Sequence, residues 1–258
     1  MSAVETFRAL HHGRSPADPL VLPGPWDAAS ARVFEEAGFP ALATPSAGVA
    51  VSLGYEDGRT PAEEMFAAVA RIVRSVSVPV SADIEGGYGM APKELVERLL
   101  ATGAVGCNLE DSAPADGGSG DGAGAGASAG GRVGAGLKDA ARHADWLAEV
   151  RAVAGEEVVL NARIDTFIRG AADPVGEAIE RARLYVDAGA DCVYPIGAPA
   201  EVLPRLRAGI EGPVNVGAPP GGPSLREWGE LGATRITFGP GLQRRATAAL
   251  REIADQLR

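Results

Sequence analysis

The sequence is poor in several residue types on which common functions depend. Among its 258 residues are 2 cysteines, 3 histidines, 3 tryptophans and 3 methionines, and aromatic side chains make up only 5%. Cys107 and Cys192 both lie inside apolar segments, which argues against a disulfide framework or a thiolate zinc cluster and marks them as small core residues. His11 and His12 fall in an N-terminal segment, and His143 falls on a charged helical pattern, where a solvated face is expected. No Ser/His/Asp triad is visible. Lysine occurs only as Lys93 and Lys138 although arginine is abundant, a balance that reads as the codon bias of a GC-rich genome. Positive charge is also short, since 24 Lys plus Arg against 34 Asp plus Glu leave a net charge of −10 at pH 7. A nucleic-acid binder needs a basic footprint to displace counterions, and an anionic membrane surface attracts basic clusters, so both partners are disfavoured. No apolar run approaches the ~18 residues of a spanning helix. No charged start followed by an apolar core and cleavage site opens the chain, and the expected location is cytoplasmic.

What is present is a repeating alternation. With 46% hydrophobic residues there is ample material for a core, and short apolar runs alternate with amphipathic stretches, the signature of βα units around a parallel sheet. Strands are expected at 20–22, 41–44, 78–82, 105–109, 158–162, 192–195, 214–216 and 235–238. Helices are expected at 28–37, 61–75, 92–102, 138–154, 174–188, 200–208, 224–231 and 242–257. Thr60 and Asp173 each precede a proline suited to the first helical position, as capping residues would. Gly38, Gly103, Gly189 and Gly232 each end a helix in a phrase that launches a strand, as left-handed caps do. Eight units with this recurring phrase predict a single (β/α)8 TIM barrel spanning 1–258. One segment departs from the pattern. Residues 113–136 are almost entirely Gly, Ala, Ser and Asp, a composition expected to give a mobile loop after the fourth strand.

In such a barrel the reactive groups gather where strands end. After the third strand comes Ser81-Ala82-Asp83-Ile84-Glu85-Gly86-Gly87-Tyr88-Gly89, and after the fourth come Glu110 and Asp111. Four hard oxygen donors at neighbouring strand ends suit Mg²⁺ or Mn²⁺, held directly or through retained waters; the alternative is a set of acidic helix caps. Arg163, in Asn161-Ala162-Arg163-Ile164-Asp165, can neutralise those acids or clamp a substrate carboxylate, and a structural pair with Asp165 is the alternative. Ser46, Ala47 and Gly48 after the second strand offer a hydroxyl and backbone N–H groups to an anion. Asn215, after the seventh strand, adds an amide expected to bind substrate. The glycine-rich runs lack the lysine and Ser/Thr of a phosphate loop and the spacing of a dinucleotide fingerprint.

Taken together, the segments 23–31, 81–89, 108–112, 161–165 and 185–191 resemble the isocitrate lyase/phosphoenolpyruvate mutase superfamily, over nearly the whole chain and in order. The resemblance implies a barrel whose last helix is exchanged with a neighbour, giving a homodimer or homotetramer. It also implies Mg²⁺ and a small 2-oxo or 2-hydroxy carboxylic acid, cleaved or rearranged through an enolate at a C–C or P–C bond. By position it implies Asp83, Glu85 and Glu110 as metal-shell acids. Ser46, Ala47 and Gly48 become the carboxylate cradle, Asp57 a polar active-site residue and Arg163 the substrate-facing arginine. The chain departs from the family in the loop at 113–136, which carries neither the lyase cysteine and histidine nor the mutase lysine and asparagine, Arg132 being its only cation. Thr44 stands where the mutases have tryptophan, and Tyr194-Pro195-Ile196-Gly197 lacks the glutamate of isocitrate-type lyases. Isocitrate and methylisocitrate are therefore poor substrate expectations. Three readings follow: a Mg²⁺-dependent C–C lyase or hydrolase on an oxaloacetate-like acid, a phosphonopyruvate mutase or hydrolase, and a catalytically silent carboxylate-binding barrel.

Overall fold

Parallel pairing around one common interior organises the chain. The computed structural model describes residues 1–113 and 136–258, and the Gly/Ala-rich loop expected over 113–136 lies almost wholly outside the described residues. The strands are β1 (Leu20–Val21), β2 (Leu42–Ala43), β3 (Val80–Asp83), β4 (Gly106–Glu110), β5 (Val159–Ile164), β6 (Cys192–Pro195), β7 (Asn215–Gly217) and β8 (Arg235–Thr237). They form two arcs, β2-β3-β4-β5-β6 and β1-β8-β7. Both joints between the arcs are bonded. Ala43 N donates to Pro23 O at 3.1 Å between β2 and β1, while Val193 N donates to Pro213 O at 3.1 Å and Val193 bridges Val214 between β6 and β7. The result is the (β/α)8 barrel expected from the sequence.

The helices are α1 (Ala3–Ala9), α2 (Ala28–Glu36), α3 (Ser46–Leu53), α4 (Ala62–Val73), α5 (Pro92–Ala101), α6 (Ala140–Ala154), α7 (Pro174–Asp187), α8 (Leu203–Gly209), α9 (Leu225–Glu230) and α10 (Gly241–Gln256). α1 and α3 were not anticipated, and the helix expected at 200–208 begins as a 3₁₀ turn over Ala200–Val202. Asp173 caps α7 by accepting from Gly176 N. Thr60 does not cap α4: Pro61 occupies that position and the Thr60 hydroxyl is buried without a partner among the described residues. Gly38, Gly103, Gly189 and Gly232 all take the left-handed conformation, with φ from 80° to 118°.

The period-2 pleat sends alternate strand residues to opposite faces. Ala82, Ile84, Cys107, Leu109, Leu160, Ala162, Ile164, Val193, Val216 and Ile236 face outward and pack with the helices in one large apolar cluster. Both cysteines are free and buried. The inward face is polar in its middle, where Asn161 Nδ2 donates to Asn108 Oδ1 at 2.7 Å and Asn215 meets Thr237 at 3.3 Å. Below them α1 closes the barrel floor. Phe7 and Val4 cluster with Leu20, Leu22, Ala41, Ala43 and Val159, and Arg8 anchors the helix to Asp191, which also pairs with Arg151.

Arg235 is fully buried above this floor. Its guanidinium reaches His11 Nε2 and Asn108 Oδ1, both at 3.4 Å, and lies 5.9 Å from the Phe7 ring centroid. His11 Nδ1 is 2.8 Å from the Phe7 carbonyl, which can only accept, so Nδ1 carries the proton and Nε2 is the acceptor for arginine. Burial, reinforced by Arg235, pushes the His11 pKa down to about 3. An unfolded histidine protonates near pH ~6.5, so stability from the neutral form is complete above that pH and is lost as pH falls toward 3, by up to about 1.4 kcal/mol per pH unit. Denaturant unfolding at about pH 7 and about pH 5.5 should therefore show a smaller acid-induced loss in His11→Gln than in the wild type. Identical losses in the two proteins would refute a neutral, buried His11.

Candidate active site

The inward positions at the C-terminal ends of β3, β4 and β5 carry Asp83, Glu110 and Arg163. Pairing aligns Asp83 with Asn108 and Glu110 with Arg163, so register alone brings the three groups to one side of the barrel mouth. Arg163 NH1 contacts Glu110 Oε2 at 2.7 Å, while its Nε and NH2 grip Asp165 at 2.7 and 2.9 Å. Both expected roles of Arg163, pairing with the site acids and pairing with Asp165, therefore coexist. Although burial opposes its charge, Glu110 and Asp165 hold the Arg163 pKa above the ordinary value. Burial, with Asp165 and Asp83 adding to it, pushes Glu110 up to about 7 against the pull of Arg163.

Asp111 does not join this group. One residue beyond Glu110, it takes the opposite face of the pleat. Its Oδ2 accepts from Tyr185 at 2.8 Å and Arg181 at 3.1 Å on α7, and its Oδ1 accepts from Asp165 N at 2.9 Å. Its work is to tie β4 to α7 and to fix the Asp165 backbone.

Ser46, Ala47 and Gly48 form the first turn of α3 rather than an irregular loop. Ser46 Oγ and N donate to Asp83 Oδ2 at 2.8 and 3.2 Å, and Thr44 Oγ1 accepts from Asp83 N at 3.1 Å. Pro45 precedes the helix without a side-chain cap, so the Ala47 and Gly48 N–H groups are left for an anion at the positive end of α3. A Cβ on Gly48 would stand 2.9 Å from the Pro45 ring, which explains glycine there.

Glu85 and Tyr88 both adopt positive φ, 53° and 55°. Such conformations cost of order 1–3 kcal/mol in a non-glycine residue and concentrate at functional turns. Tyr88 packs on Phe66, and burial together with Glu85, Asp83 and Glu110 raises its hydroxyl pKa. Asp57 stands exposed in the turn after α3, outside these contacts. Asn215 is the first residue of β7, buried inside the barrel and bonded to Thr237 rather than standing at the rim.

Two residues escaped the sequence reading. His143 is not on a solvated face: it is 3% exposed, stacked on Trp146 and edge-on to Tyr185. Lys138 lies beside the site, donating from Nζ to the Glu110 carbonyl at 2.9 Å and resting 5.5 Å from the Trp146 ring centroid. The rarity of lysine in an arginine-rich chain, which reads as codon bias, is the one sequence signal that could have marked it.

Inward carboxylates, a buried arginine and a helix N-terminus thus meet at the mouth of a (β/α)8 barrel, the end at which barrel enzymes carry their active sites. Comparison places it more closely. The family model described as phosphoenolpyruvate phosphomutase matches residues 7–258, and the chain belongs to the phosphoenolpyruvate mutase/isocitrate lyase family of lyases and mutases. It is 33% identical to an uncharacterized protein of Mycobacterium tuberculosis, over 91% of this chain and 81% of that one. A Burkholderia cenocepacia crystal structure provisionally described as a phosphonomutase superposes with a TM-score of 0.84 at 35% identity, covering 98% of each chain. The structure of 2,3-dimethylmalate lyase superposes with a TM-score of 0.79 at 28% identity, covering 100% of this chain and 87% of that one.

Arg163→Met strands Glu110 and Asp165 as buried carboxylates without their cation. It should cost about 3–5 kcal/mol in denaturant unfolding. A loss below about 1 kcal/mol would mean that solvent, not Arg163, compensates those acids.

Proposed function

We propose that the protein is a Mg²⁺-dependent enzyme acting on a small 2-oxo or 2-hydroxy carboxylic acid, with C–C cleavage through an enolate of an oxaloacetate-like substrate. The observation that carries this reading is the convergence of Asp83, Glu110, Arg163 and the α3 N-terminus on one end of the barrel. Among the described residues no three His, Cys, Asp or Glu side chains stand close enough to hold an ion by themselves. The all-oxygen donor set nonetheless fits Mg²⁺, which commonly takes one or two carboxylates and completes its shell with water and substrate oxygens. Asp83, Glu85 and Glu110 would hold it, in part through its retained waters, and when bound it would supply the positive charge that stabilises a developing enolate.

The chain's own groups do the rest. The Ala47 and Gly48 N–H groups and the Ser46 hydroxyl receive the substrate carboxylate, and Arg163 faces the negative charge that grows as the bond breaks. For a 2-hydroxy acid, the hydroxyl proton leaves as the C2–C3 bond breaks and C2 becomes a carbonyl. The bonding pair passes to the departing fragment as an enolate, and a proton completes that fragment. Similarity to a lyase of 2,3-dimethylmalate supports this reading. Similarity to a provisionally described phosphonomutase favours the second, P–C chemistry on phosphonopyruvate.

Mg²⁺ or Mn²⁺ should raise the melting temperature of the wild type, more so with oxalate as an enolate mimic, and Asp83→Ala should abolish the shift. Equal metal affinity in both proteins by calorimetry would overturn the assignment of the acids. Assays of oxaloacetate, 2-methylmalate-type acids and phosphonopyruvate with Mg²⁺ separate the two chemistries. Turnover of none, with oxalate binding retained, would leave a carboxylate-binding barrel.

The same reading extends to self-association. α10 buries only Gln243 and leaves Leu250 and Ile253 exposed at 64% and 52%, with Leu257 just beyond it at 83%, beside an apolar groove of about 550 Å³ lined by Trp26, Val33 and Phe34. A homodimer or homotetramer assembled through this helix would cover that surface. Light scattering at micromolar concentration should show an oligomer that Leu250→Glu with Ile253→Glu dissociates, and a wild-type monomer would refute it.

A further inference from the structure

The proposed cleavage leaves one proton without a source. The departing fragment must receive it, and the groups that hold the substrate do not supply it: the Ser46 hydroxyl already donates to Asp83, and an arginine keeps its protons. Other common donors are absent from the mouth. The segment 113–136 contains no cysteine, histidine, lysine or tyrosine. Cys107 faces the helices, and the buried Cys192 thiol lies 3.7 Å from the Val193 carbonyl. His11 belongs to the barrel floor, and His143 is enclosed by Trp146 and Tyr185.

The four tyrosines separate by the face they occupy. Tyr55 bonds to Glu64 at the surface, Tyr88 packs on Phe66, and Tyr185 donates to Asp111 on the outer side of the sheet. Tyr194 alone points inward. Its neighbour Val193 packs with the helices, so the pleat turns Tyr194 toward the barrel axis. Register sets it opposite Arg163, which stands opposite Glu110. Glu110, Arg163 and Tyr194 therefore form one inward rung across β4, β5 and β6, and Tyr194 is 5% exposed.

The next strand fixes where the phenol ends. A Cβ on Gly217, the last residue of β7, would stand 2.5 Å from the Tyr194 hydroxyl but 3.5 Å from the ring carbon that bears it. Glycine at 217 thus makes room for the hydroxyl itself. On β8 beyond it, Thr237 offers its own hydroxyl to the phenol oxygen. The phenol proton has no acceptor among the described residues. Burial raises the Tyr194 pKa against the pull of Arg163 and Thr237, so the proton is retained at neutral pH.

We propose that Tyr194 is the general acid of this site and delivers its phenolic proton to the carbon of the departing enolate. The inference rests on the enolate reading of the mouth and deepens it. For a 2-hydroxy acid, the C2–C3 bonding pair becomes the enolate of the departing fragment. That pair takes the proton, a C–H bond forming as the Tyr194 O–H bond breaks. The phenolate left behind stands beside Arg163 in the rung. The proton that the substrate hydroxyl released as C2 became a carbonyl returns through solvent to restore the phenol, so the step needs no further reactant. A donor that meets C3 only when charge has developed there favours the transition state over the bound acid, the condition for raising the rate.

Tyr194→Phe keeps the ring and removes the proton. In assays of 2-methylmalate-type acids and oxaloacetate with Mg²⁺, kcat should fall about 100-fold or more, while KM stays within about twofold because the ground-state C3 accepts no hydrogen bond. Oxalate places an oxygen where C3 stands, so its affinity by calorimetry should fall about tenfold with the lost charge-assisted bond. A purely structural role would weaken substrate and oxalate alike. Gly217→Ala checks the position of the hydroxyl. It should lower kcat about tenfold in the wild type and less than about twofold in Tyr194→Phe, where the atom that the methyl meets is gone. Unchanged kcat in Tyr194→Phe would overturn the proposal, as would equal losses in KM and oxalate affinity, or the same effect of Gly217→Ala in both backgrounds. If the wild type turns over none of these acids, the cleavage reading fails and oxalate decides whether Tyr194 donates at the mouth. Weaker oxalate binding in Tyr194→Phe would keep the donor, and equal or absent binding would remove it.

Discussion

Arg163 is the residue through which the mouth of the barrel is connected to the rest of the molecule. It projects inward from β5, meets Glu110 on β4 across the sheet, and holds Asp165 with two parallel bonds. Asp165 is held in turn by Asp111 through its backbone and by the Ser112 hydroxyl, and Asp111 is anchored to Arg181 and Tyr185 on α7. A continuous chain of charged contacts therefore runs from the reactive end of the barrel to the outer helix layer. Buried pairs of this kind often add little net stability, because desolvation offsets the Coulomb gain. What they provide here is position: Glu110 cannot shift without leaving a charge unmatched.

The barrel interior departs from the branched aliphatic layers that usually fill this fold. Asn108, Asn161, Asn215, Thr237 and Arg235 occupy the middle, and apolar packing is confined to the floor, where α1 inserts Phe7. The polar middle is compatible with stability because most of its groups find partners in one another. Arg235 is the extreme case, a fully buried cation whose hydrogen-bond partners are a neutral histidine and an asparagine. Burial pulls its pKa down.

Strand parity decides which acids can take part in chemistry. Glu110 and Asp111 are adjacent in sequence and chemically equivalent, yet one faces the mouth and the other is sealed against α7. Asp83 and Arg163 share the inward parity, and β3-β4-β5 pairing turns that parity into proximity. The acids and the arginine belong together through register, not through spacing along the chain.

The amino-acid sequence alone determined the order of most strands and helices, the glycine caps that end four of the helices, the barrel architecture and the strand ends at which function is sought. All of these follow from local periodicity and short-range backbone chemistry, which act before any long-range contact forms. Only the tertiary structure decided the rest. α1 and α3 are short and weakly patterned, and packing gives them form: α1 against the barrel floor, α3 with its first residue bonded to Asp83. His143 reads as solvent-facing because its helix is rich in charge, but the stack with Trp146 and Tyr185 buries it. Lys138 has no sequence neighbour that marks it, and it reaches the site because β4 and the start of α6 meet beside Glu110. Sidedness, burial and partner choice depend on residues dozens of positions away, and no local pattern encodes them.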